Sequence, residues 1–304
     1  MDEIRKFAVI CGGSSPEREI SLKSGNGVND ALIHIGHDSQ IIDYKDLVSL
    51  DELNKFDVIF IALHGFEGES GILQDKLESI GVKYTGSNSQ GCENTWNKRL
   101  CKKLLIKNSL QTPNFISCKN LEESFNPFAS FFKEHGYDSE LFMKPSEDGS
   151  SIDIFKISNF EEFEDAKNKC HNKSREFIFE ERILGREYTV TIIKNECFPP
   201  IEIKTNNEFY DYDAKYISNE TILAEADLSD QDLAKISKVA LKAFNVLECN
   251  GWARVDFMQD KKGKFHVIEV NTVPGMTTHS CVPKSGSFLG LSYEEVVKKI
   301  LRYV

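Results

Sequence analysis

The sequence lacks the features of membrane, secreted and nucleic-acid-binding proteins. The apolar segment after Lys6 is far too short for a signal peptide or a membrane span, and no later run is long enough. There is no basic run, and the formal net charge of -11 argues against a nucleic-acid surface. We therefore expect a cytoplasmic protein that binds neither membrane nor nucleic acid, and that holds any anionic substrate with a few placed cations.

The chain also lacks a Cys-x-x-Cys pair, an internal repeat and a low-complexity tract. Its eight cysteines are scattered at positions 11, 92, 101, 118, 170, 197, 249 and 281. This spacing fits reduced packing thiols better than a disulfide framework or a zinc site. With 304 residues, of which 40% are hydrophobic, the chain has room for two or three domains with a substantial core.

The most informative stretch is residues 265–276, a run of β-formers that ends in Pro274-Gly275. Glu269 and Asn271 stand two apart, so in a strand both side chains leave by the same face. Upstream, residues 252–258 read as a second strand, and residues 260–263 have turn chemistry. This turn would pair Gln259 with Lys264 and Arg254 with Glu269.

That register predicts which side chains share a face of the hairpin. Asp256 would lie diagonal to Glu269, at roughly 7 to 8 Å between backbones. One face would carry Arg254, Asp256, Glu269 and Asn271, with Met258, Phe265 and Val267 as an apolar floor, and the core face would carry Val255, Phe257, Ile268 and Val270. Carboxylate and amide oxygens are ligands that Mg²⁺ accepts beside nucleotide phosphates, although charges alternating along a strand also fit an ordinary solvated surface.

Three further segments place polar or glycine-rich loops after predicted strands. Residues 7–11 and 57–63 read as buried parallel strands, and they lead into Gly12-Gly13 and His64-Gly65. Residues 144–151 form a glycine and serine loop that offers N–H groups and hydroxyls to phosphate oxygens, with a plain hairpin turn as the alternative. Residues 205–226 lack periodicity, as functional lids often do.

Together these motifs resemble the D-alanine:D-alanine ligase family of the ATP-grasp superfamily, in the same order and spacing over nearly the whole chain. The resemblance is carried by residues 12–21 (GGSSPEREIS), 62–65 (ALHG), 144–151 (KPSEDGSS), 210–216 (YDYDAKY) and 269–280 (EVNTVPGMTTHS).

The resemblance implies a mixed α/β, three-domain ATP-grasp fold with an N-terminal doubly wound parallel-sheet domain. We expect an N-terminal substrate domain over residues 1–88, a central ATP-grasp domain over 89–185 and a C-terminal ATP-grasp domain over 186–304, with a lid loop at about 205–226. It also implies a homodimer that makes D-alanyl-D-alanine from D-alanine and ATP, through a D-alanyl phosphate, for peptidoglycan synthesis.

The same resemblance assigns roles to individual residues at the nucleotide end. Asp256, Glu269 and Asn271 would hold two Mg²⁺ ions, with Mn²⁺ as a substitute. Lys98, Lys144 and Lys215 would contact phosphates. The remaining nucleotide contacts would come from Glu187 at the ribose and from Glu180, Ile183 and Met258 around the adenine.

At the substrate end, Arg254 and the N–H of Gly275 would stabilise the tetrahedral oxyanion. Glu17 would take the ammonium of the first D-alanine, with His64 nearby, and Ser280 the carboxylate of the second. Glu17, Ser150 and Tyr216 match a hydrogen-bonded triad that joins the first domain to the phosphate loop and the lid.

Two other functions fit parts of this pattern. Another ATP-grasp carboxylate-amine ligase, including a D-alanine:D-lactate enzyme, is disfavoured by Tyr216 and Ser280. A regulator that binds nucleotide without turnover would not need the intact set of site residues. The chain departs from the usual family pattern in ways that bear on nucleotide affinity, at Glu67, Ser70, Trp96, Asn97, Glu181 and Arg182.

Overall fold

A computed structural model describes residues 5–149, 152–205, 221–302 and 304. In these ranges the strands are β1 (Lys6–Cys11), β2 (Asp38–Asp43), β3 (Val58–Ile61), β4 (Phe115–Cys118), β5 (Leu141–Pro145), β6 (Phe155–Ile157), β7 (Phe177–Glu181), β8 (Gly185–Ile193), β9 (Glu196–Cys197), β10 (Ile201–Lys204), β11 (Ile222–Glu225), β12 (Trp252–Asp260) and β13 (Phe265–Asn271). The helices are α1 (Arg18–His34), α2 (Phe66–Glu69), α3 (Ile72–Ser79), α4 (Ser89–Trp96), α5 (Lys98–Lys107), α6 (Pro127–His135), α7 (Phe160–Lys169), α8 (Asp230–Val246), α9 (Cys281–Phe288) and α10 (Tyr293–Leu301).

The N-terminal sheet is parallel, in the order β2-β1-β3. The side chains of Phe7 to Cys11 in β1 are all buried, as in a strand covered on both faces. Beside β3, Tyr84 forms a single parallel bridge with Ile59. The predicted doubly wound unit is therefore confirmed, and its loops after β1 and β3 lie at the carboxyl edge of the sheet.

The central sheet is antiparallel, in the order β4-β7-β5-β6. Phe131 of α6 and Phe163 of α7 pack with Met143 and Phe179 in one buried cluster. This sheet places Lys144 and Glu180 on neighbouring strands, because β5 pairs with β7.

The C-terminal sheet is antiparallel, in the order β11-β10-β8-β12-β13, with β9 paired to β8. Helix α8 begins after Ser229, whose side chain accepts a hydrogen bond from the N–H of Asp232, and it packs Ile236 and Phe244 onto the sheet. β11 occupies the end of the segment predicted as an irregular loop. The rest of that lid prediction, at residues 206–220, lies outside the described residues.

The observed β12–β13 register differs from the prediction. Gln259 pairs with Phe265 and Asp256 pairs directly with Glu269, with a bulge between Asp256 and Phe257. Because a bulge adds one residue on one strand, it reverses which side chains face the core beyond that point. Phe265 and Val267 are consequently buried in the core, so the prediction that they form a floor for adenine is wrong.

The N-terminal and C-terminal parts of the chain share one hydrophobic core. The ring of Phe60 in β3 lies 6.0 Å from that of Trp252 in β12, and Val28 of α1 joins Val296 of α10 in the same cluster. This packing brings the glycine loops of the first sheet against the hairpin that carries Glu269. No helix among the described residues combines the length and the apolar character needed to cross a bilayer.

Candidate active site

One large cavity, of about 860 Å³, lies where the three sheets meet. Every described residue to which the family resemblance assigns a role lines it: Glu17, His64, Lys98, Lys144, Glu180, Ile183, Glu187, Arg254, Asp256, Met258, Glu269, Asn271, Gly275 and Ser280. Ser150, Lys215 and Tyr216 lie outside the described residues. Ile268, predicted for the core, also lines the cavity because of the bulge at Asp256.

The hairpin supplies one wall of the cavity. The Asp256 carboxylate is buried and accepts two hydrogen bonds from Arg254, at 2.9 and 2.8 Å, and one from the hydroxyl of Thr189, at 2.5 Å. Directly across the ladder stands Glu269, and Asn271 stands opposite Arg254. The predicted common face of these four residues is confirmed, with Asp256 and Glu269 nearer to each other than a diagonal pair would be.

This wall offers a set of oxygen donors suited to a hard divalent cation. Among the described residues no three His, Cys, Asp or Glu side chains cluster as a metal site. The donor set at the hairpin is instead two carboxylates and the amide of Asn271, whose Oδ1 also accepts from the N–H of Val273 at 3.2 Å. Oxygen ligands of this mixed kind fit Mg²⁺, which retains several waters when it binds to proteins.

The opposite wall carries cations. Lys144 of β5 extends into the cavity and forms an ion pair with Glu180 of β7. Burial alone raises the pKa of Glu180, but the charges of Lys102 and Lys144 outweigh it and lower that pKa to about 2. Glu180 therefore stays ionised between two lysines.

Lys98 is positioned by the break between α4 and α5. Asn97 adopts an extended backbone, with ψ of 103°, and caps α5 by accepting from the N–H of Leu100. The Nζ of Lys98 donates to the carbonyl of Asp148 at 2.5 Å, and its N–H donates to the carbonyl of Ser146 at 2.7 Å. The start of α5 and the predicted phosphate loop are thus held together.

The substrate end is lined by Glu17 and His64, which follow β1 and β3. His64 is 5% exposed; its Nδ1 lies 2.9 Å from the carbonyl of Val273 and its Nε2 3.3 Å from the hydroxyl of Ser24. Burial lowers the pKa of His64, despite the opposing charge of Glu17. A Cβ at Gly149 would lie only 3.1 Å from Oε2 of Glu17, so the loop preceding Ser150 approaches Glu17 closely because glycine stands there.

Comparison with known proteins agrees with this geometry. The family model described as "D-ala D-ala ligase C-terminus" matches residues 104–302. D-alanine–D-alanine ligases from Francisella philomiragia and Pseudoalteromonas translucida are each 40% identical over 301 residues, covering 97% of this chain and 97% and 96% of theirs. The chain belongs to the D-alanine–D-alanine ligase family.

Solved structures of the family have the same fold. The ligase from Bacillus anthracis complexed with ATP superposes with a TM-score of 0.85 and 29% identity, over 98% of this chain and 97% of that one. The VanG D-Ala:D-Ser ligase from Enterococcus faecalis superposes with a TM-score of 0.85 and 26% identity, over 99% of this chain and 100% of that one. The predicted ATP-grasp fold is confirmed.

Two of the departures from the family pattern serve contacts within the central sheet. Glu181 accepts from the N–H of Asn114 at 2.8 Å and from the hydroxyl of Tyr137, and Arg182 donates to Glu140 at 2.8 Å. A third, Trp96, lines the cavity and stacks edge-on against Phe66, with ring centroids 6.2 Å apart. These side chains shape the wall of the ligase cavity without displacing the predicted ligand groups.

Sequence reasoning missed Glu69, a second carboxylate at the substrate end. Its Oε1 accepts from the N–H of Gly65 at 2.8 Å, and it lines the cavity with Glu17. Burial and then the charge of Glu17 raise the pKa of Glu69 to about 8. The signal in the sequence is slight, because a glutamate in a glycine-rich loop looks like an ordinary surface residue.

It also missed the ion pairs that hold the phosphate loop. Arg175 pairs with Asp148 and with Asp153, whose side chain is 1% exposed. Asp153 has a left-handed backbone, with φ of 53°, and its carboxylate lies 2.7 Å from Nδ1 of His171. The two ends of the loop are therefore tied to one guanidinium, which a sequence pattern could not have paired across this distance.

The end of the hairpin forms the last wall of the ligase cavity. The hydroxyl of Ser280 accepts from the N–H of Thr277 at 3.0 Å, just before α9. A Cβ built on Gly275 would lie 2.8 Å from that hydroxyl. Gly275 and Ser280 are consequently brought side by side at this wall of the cavity.

Proposed function

We propose that this protein joins two molecules of D-alanine into D-alanyl-D-alanine, with ATP converted to ADP and phosphate, for peptidoglycan synthesis. The observation that carries the proposal is the single cavity lined by all of the described residues with predicted roles. Its walls combine lysine side chains, a mixed set of oxygen donors and two candidate hydrogen-bond donors to an oxyanion, Arg254 and the N–H of Gly275. Phosphoryl transfer depends mainly on such positioning and on charge neutralisation.

At the nucleotide end, we assign Lys98, Lys144 and Lys215 to the phosphates and Glu187 to the ribose. Glu180, Ile183 and Met258 would surround the adenine. Asp256, Glu269 and Asn271 would hold two Mg²⁺ ions, with Mn²⁺ as a substitute. When bound, the metal supplies neutralisation of the charge on the transferring phosphoryl group.

In the first step, the carboxylate of one D-alanine attacks the γ-phosphorus of ATP, and the bond to the β,γ-bridging oxygen breaks. The products are D-alanyl phosphate and ADP. Glu17 would hold the ammonium of this D-alanine, with His64 beside it. Burial lowers the pKa of His64 and so favours the neutral ring there. A neutral ring adds no repulsion to that ammonium.

In the second step, the amine of another D-alanine attacks the acyl carbon, phosphate leaves, and the amine gives up a proton. Negative charge develops on the carbonyl oxygen, where the Arg254 guanidinium and the N–H of Gly275 would donate. Preorganised donors of this kind each contribute roughly 2.7 to 4 kcal/mol to transition-state stabilisation. Ser280 would bind the carboxylate of the incoming D-alanine, and Glu17, Ser150 and Tyr216 would link the first domain, the phosphate loop and the lid.

The second substrate is the point on which related ligases differ. By family resemblance Tyr216 favours an amine over the hydroxyl of D-lactate, and a D-Ala:D-Ser ligase is among the structural relatives. We assign D-alanine to both subsites. The division into domains at 1–88, 89–185 and 186–304, a homodimer and a cytoplasmic location belong to the same proposal.

An assay of ATP-dependent phosphate release tests the function. With Mg²⁺ and D-alanine we expect turnover and a dipeptide product identified by mass spectrometry, and with L-alanine none. D-serine and D-lactate, each offered together with D-alanine, should give little mixed product. Absence of D-alanine-dependent phosphate release would refute the proposal, and a dominant mixed product would reassign the second subsite.

A further inference from the structure

Lys102 is a buried lysine that does not line the cavity among the described residues. It lies on α5, and its side chain is 1% exposed. Its Nζ is 2.8 Å from Oε2 of Glu180, 2.7 Å from the hydroxyl of Thr112 and 3.3 Å from the carbonyl of Pro113. Each of the three ammonium protons therefore has an acceptor within the protein.

Glu180 is shared between this lysine and one that reaches the cavity. Its Oε2 faces Lys102 and its Oε1 faces Lys144. Two ammonium groups against one carboxylate leave a net charge of about +1. Because Lys102 is enclosed and fully hydrogen-bonded, the unbalanced charge is carried by Lys144, at the cavity wall.

We propose that Lys102 is a positioning residue that neutralises Glu180 from behind and so leaves the charge of Lys144 to the phosphates of the nucleotide. The inference rests on the proposed function only in requiring a nucleotide in this cavity. Without Lys102, Glu180 and Lys144 would form a neutral pair, and a phosphate would have to compete with a buried carboxylate for the ammonium group.

The cost of burying Lys102 supports a role for its charge. Desolvation of a buried ion pair offsets much of its attraction, and an apolar residue of similar size would often pack as stably. Because Lys102 is not among the described residues that line the cavity, any effect of its charge on phosphate binding must act through Glu180. Removing Lys102 should therefore weaken phosphate binding only while Glu180 keeps its charge.

Direct nucleotide binding tests this dependence without D-alanine. ADP with Mg²⁺, and separately adenosine, would be titrated calorimetrically into the unchanged protein, Lys102→Met, Glu180→Gln, Lys102→Met/Glu180→Gln and the control Lys103→Met. Lys103 is the exposed neighbour on α5. We expect Lys102→Met to bind ADP about tenfold more weakly, since a charge-assisted hydrogen bond is compromised, and to bind adenosine as before.

The double variant should bind ADP within about threefold of Glu180→Gln alone, because any change in the adenine contact is common to both, and Lys103→Met should not differ from the unchanged protein. The proposal is overturned if Lys102→Met binds ADP normally, if it loses ADP and adenosine equally, or if the folded double variant binds ADP clearly more weakly than Glu180→Gln alone. Should Lys102→Met not fold, Lys102→Gln, which can still donate a hydrogen bond to Glu180 but carries no charge, takes its place with the same expected outcomes. An unchanged protein that does not bind ADP would overturn both this inference and the proposed function.

Discussion

Asp256 and Glu269 face each other directly across the β12–β13 ladder, next to a bulge that changes the register after Asp256. Directly opposed side chains in an antiparallel pair have Cβ atoms about 4.5 to 5.5 Å apart, and like charges at that spacing destabilise the sheet. Arg254 offsets the charge of Asp256 through two hydrogen bonds. Under the proposed function, a Mg²⁺ ion held by the two carboxylates would offset this cost.

The first prediction concerns Glu269→Gln. The change keeps the size of the side chain and removes one charged metal ligand, so kcat for D-alanine-dependent phosphate release should fall by more than about a hundredfold. Because it also relieves the repulsion with Asp256, the free energy of unfolding should stay equal or rise by up to about 1 kcal/mol. Steady-state kinetics and urea denaturation measure the two effects.

Glu225→Gln is the matched control for this prediction. Glu225 is exposed on β11 of the same sheet and does not line the cavity. The Glu225→Gln variant should have the same kcat and the same unfolding midpoint as the unchanged protein. Normal turnover by Glu269→Gln would contradict the assignment of Glu269 as a metal ligand.

The hairpin illustrates what the sequence could and could not predict. The alternation of side chains along the two strands correctly predicts one shared face for Arg254, Asp256, Glu269 and Asn271, because these residues lie on the same side of the bulge. Beyond the bulge, the same alternation predicts the wrong face for Phe265 and Val267. Both faces of that half of the hairpin carry apolar residues, so the hydrophobic pattern does not mark where the extra residue is accommodated.

Residues whose roles depend on long-range partners were also invisible in the sequence. Lys102 lies in a lysine-rich stretch that reads as the solvated side of a helix, yet it is buried against Glu180, which lies far away in the sequence. Glu69 looks equally ordinary. Local spacing predicts which faces residues share, whereas burial of a charge depends on which other element covers it.

A second prediction concerns the pH dependence of stability. The pKa of Glu69 is raised from 4.5 to about 8 in the folded protein, so between these values the folded state keeps a proton that the unfolded state has released. Its stabilising contribution is complete below pH 4.5 and is lost as the pH rises through 8. The free energy of unfolding should therefore fall over this window, by up to about 1.4 kcal/mol per pH unit from this group.

Glu69→Gln cannot ionise, so it should remove that part of the slope. The difference in unfolding free energy, variant minus unchanged protein, should grow in favour of the variant from pH 5 toward pH 8 in urea titrations. Glu93→Gln on α4, which is exposed, serves as the control and should give a constant difference. A constant difference for Glu69→Gln as well would show that Glu69 is ionised in the folded protein at neutral pH.

A third prediction concerns Arg175, which pairs with Asp148 and Asp153 at the two ends of the phosphate loop. Arg175→Met leaves the buried carboxylate of Asp153 without its main counter-ion, which should cost about 3 to 5 kcal/mol in urea denaturation. Adding Asp153→Gly should recover most of that loss, because it removes the buried charge and suits the left-handed backbone.

Arg99→Met is the control for the loss of an arginine ion pair. Arg99 pairs with Glu176 at 2.8 Å, but its side chain is 34% exposed, so the change should cost less than about 1 kcal/mol. If Arg175→Met is no more destabilising than Arg99→Met, Arg175 is not the main counter-ion of the buried Asp153 carboxylate. The Michaelis constant for ATP should rise in Arg175→Met and not in Arg99→Met, since only the former loosens the loop.

A fourth prediction uses the close approach of Gly275 to Ser280. In Gly275→Ala the new methyl group would lie 2.8 Å from the Ser280 hydroxyl, so either the N–H of residue 275 or that hydroxyl must move. A displacement near 1 Å at reacting groups can cost about a hundredfold, so kcat/KM for D-alanine should fall by between about ten- and a hundredfold while KM for ATP stays the same. Gly290→Ala is the control: its φ of 73° strains an alanine, but nothing lies within 4 Å of the added carbon. The Gly290→Ala variant should lose roughly 1 kcal/mol of stability and keep full activity. Equal losses of activity in both variants would show that replacing a glycine anywhere has this effect, and would contradict the role of Gly275 as an oxyanion donor.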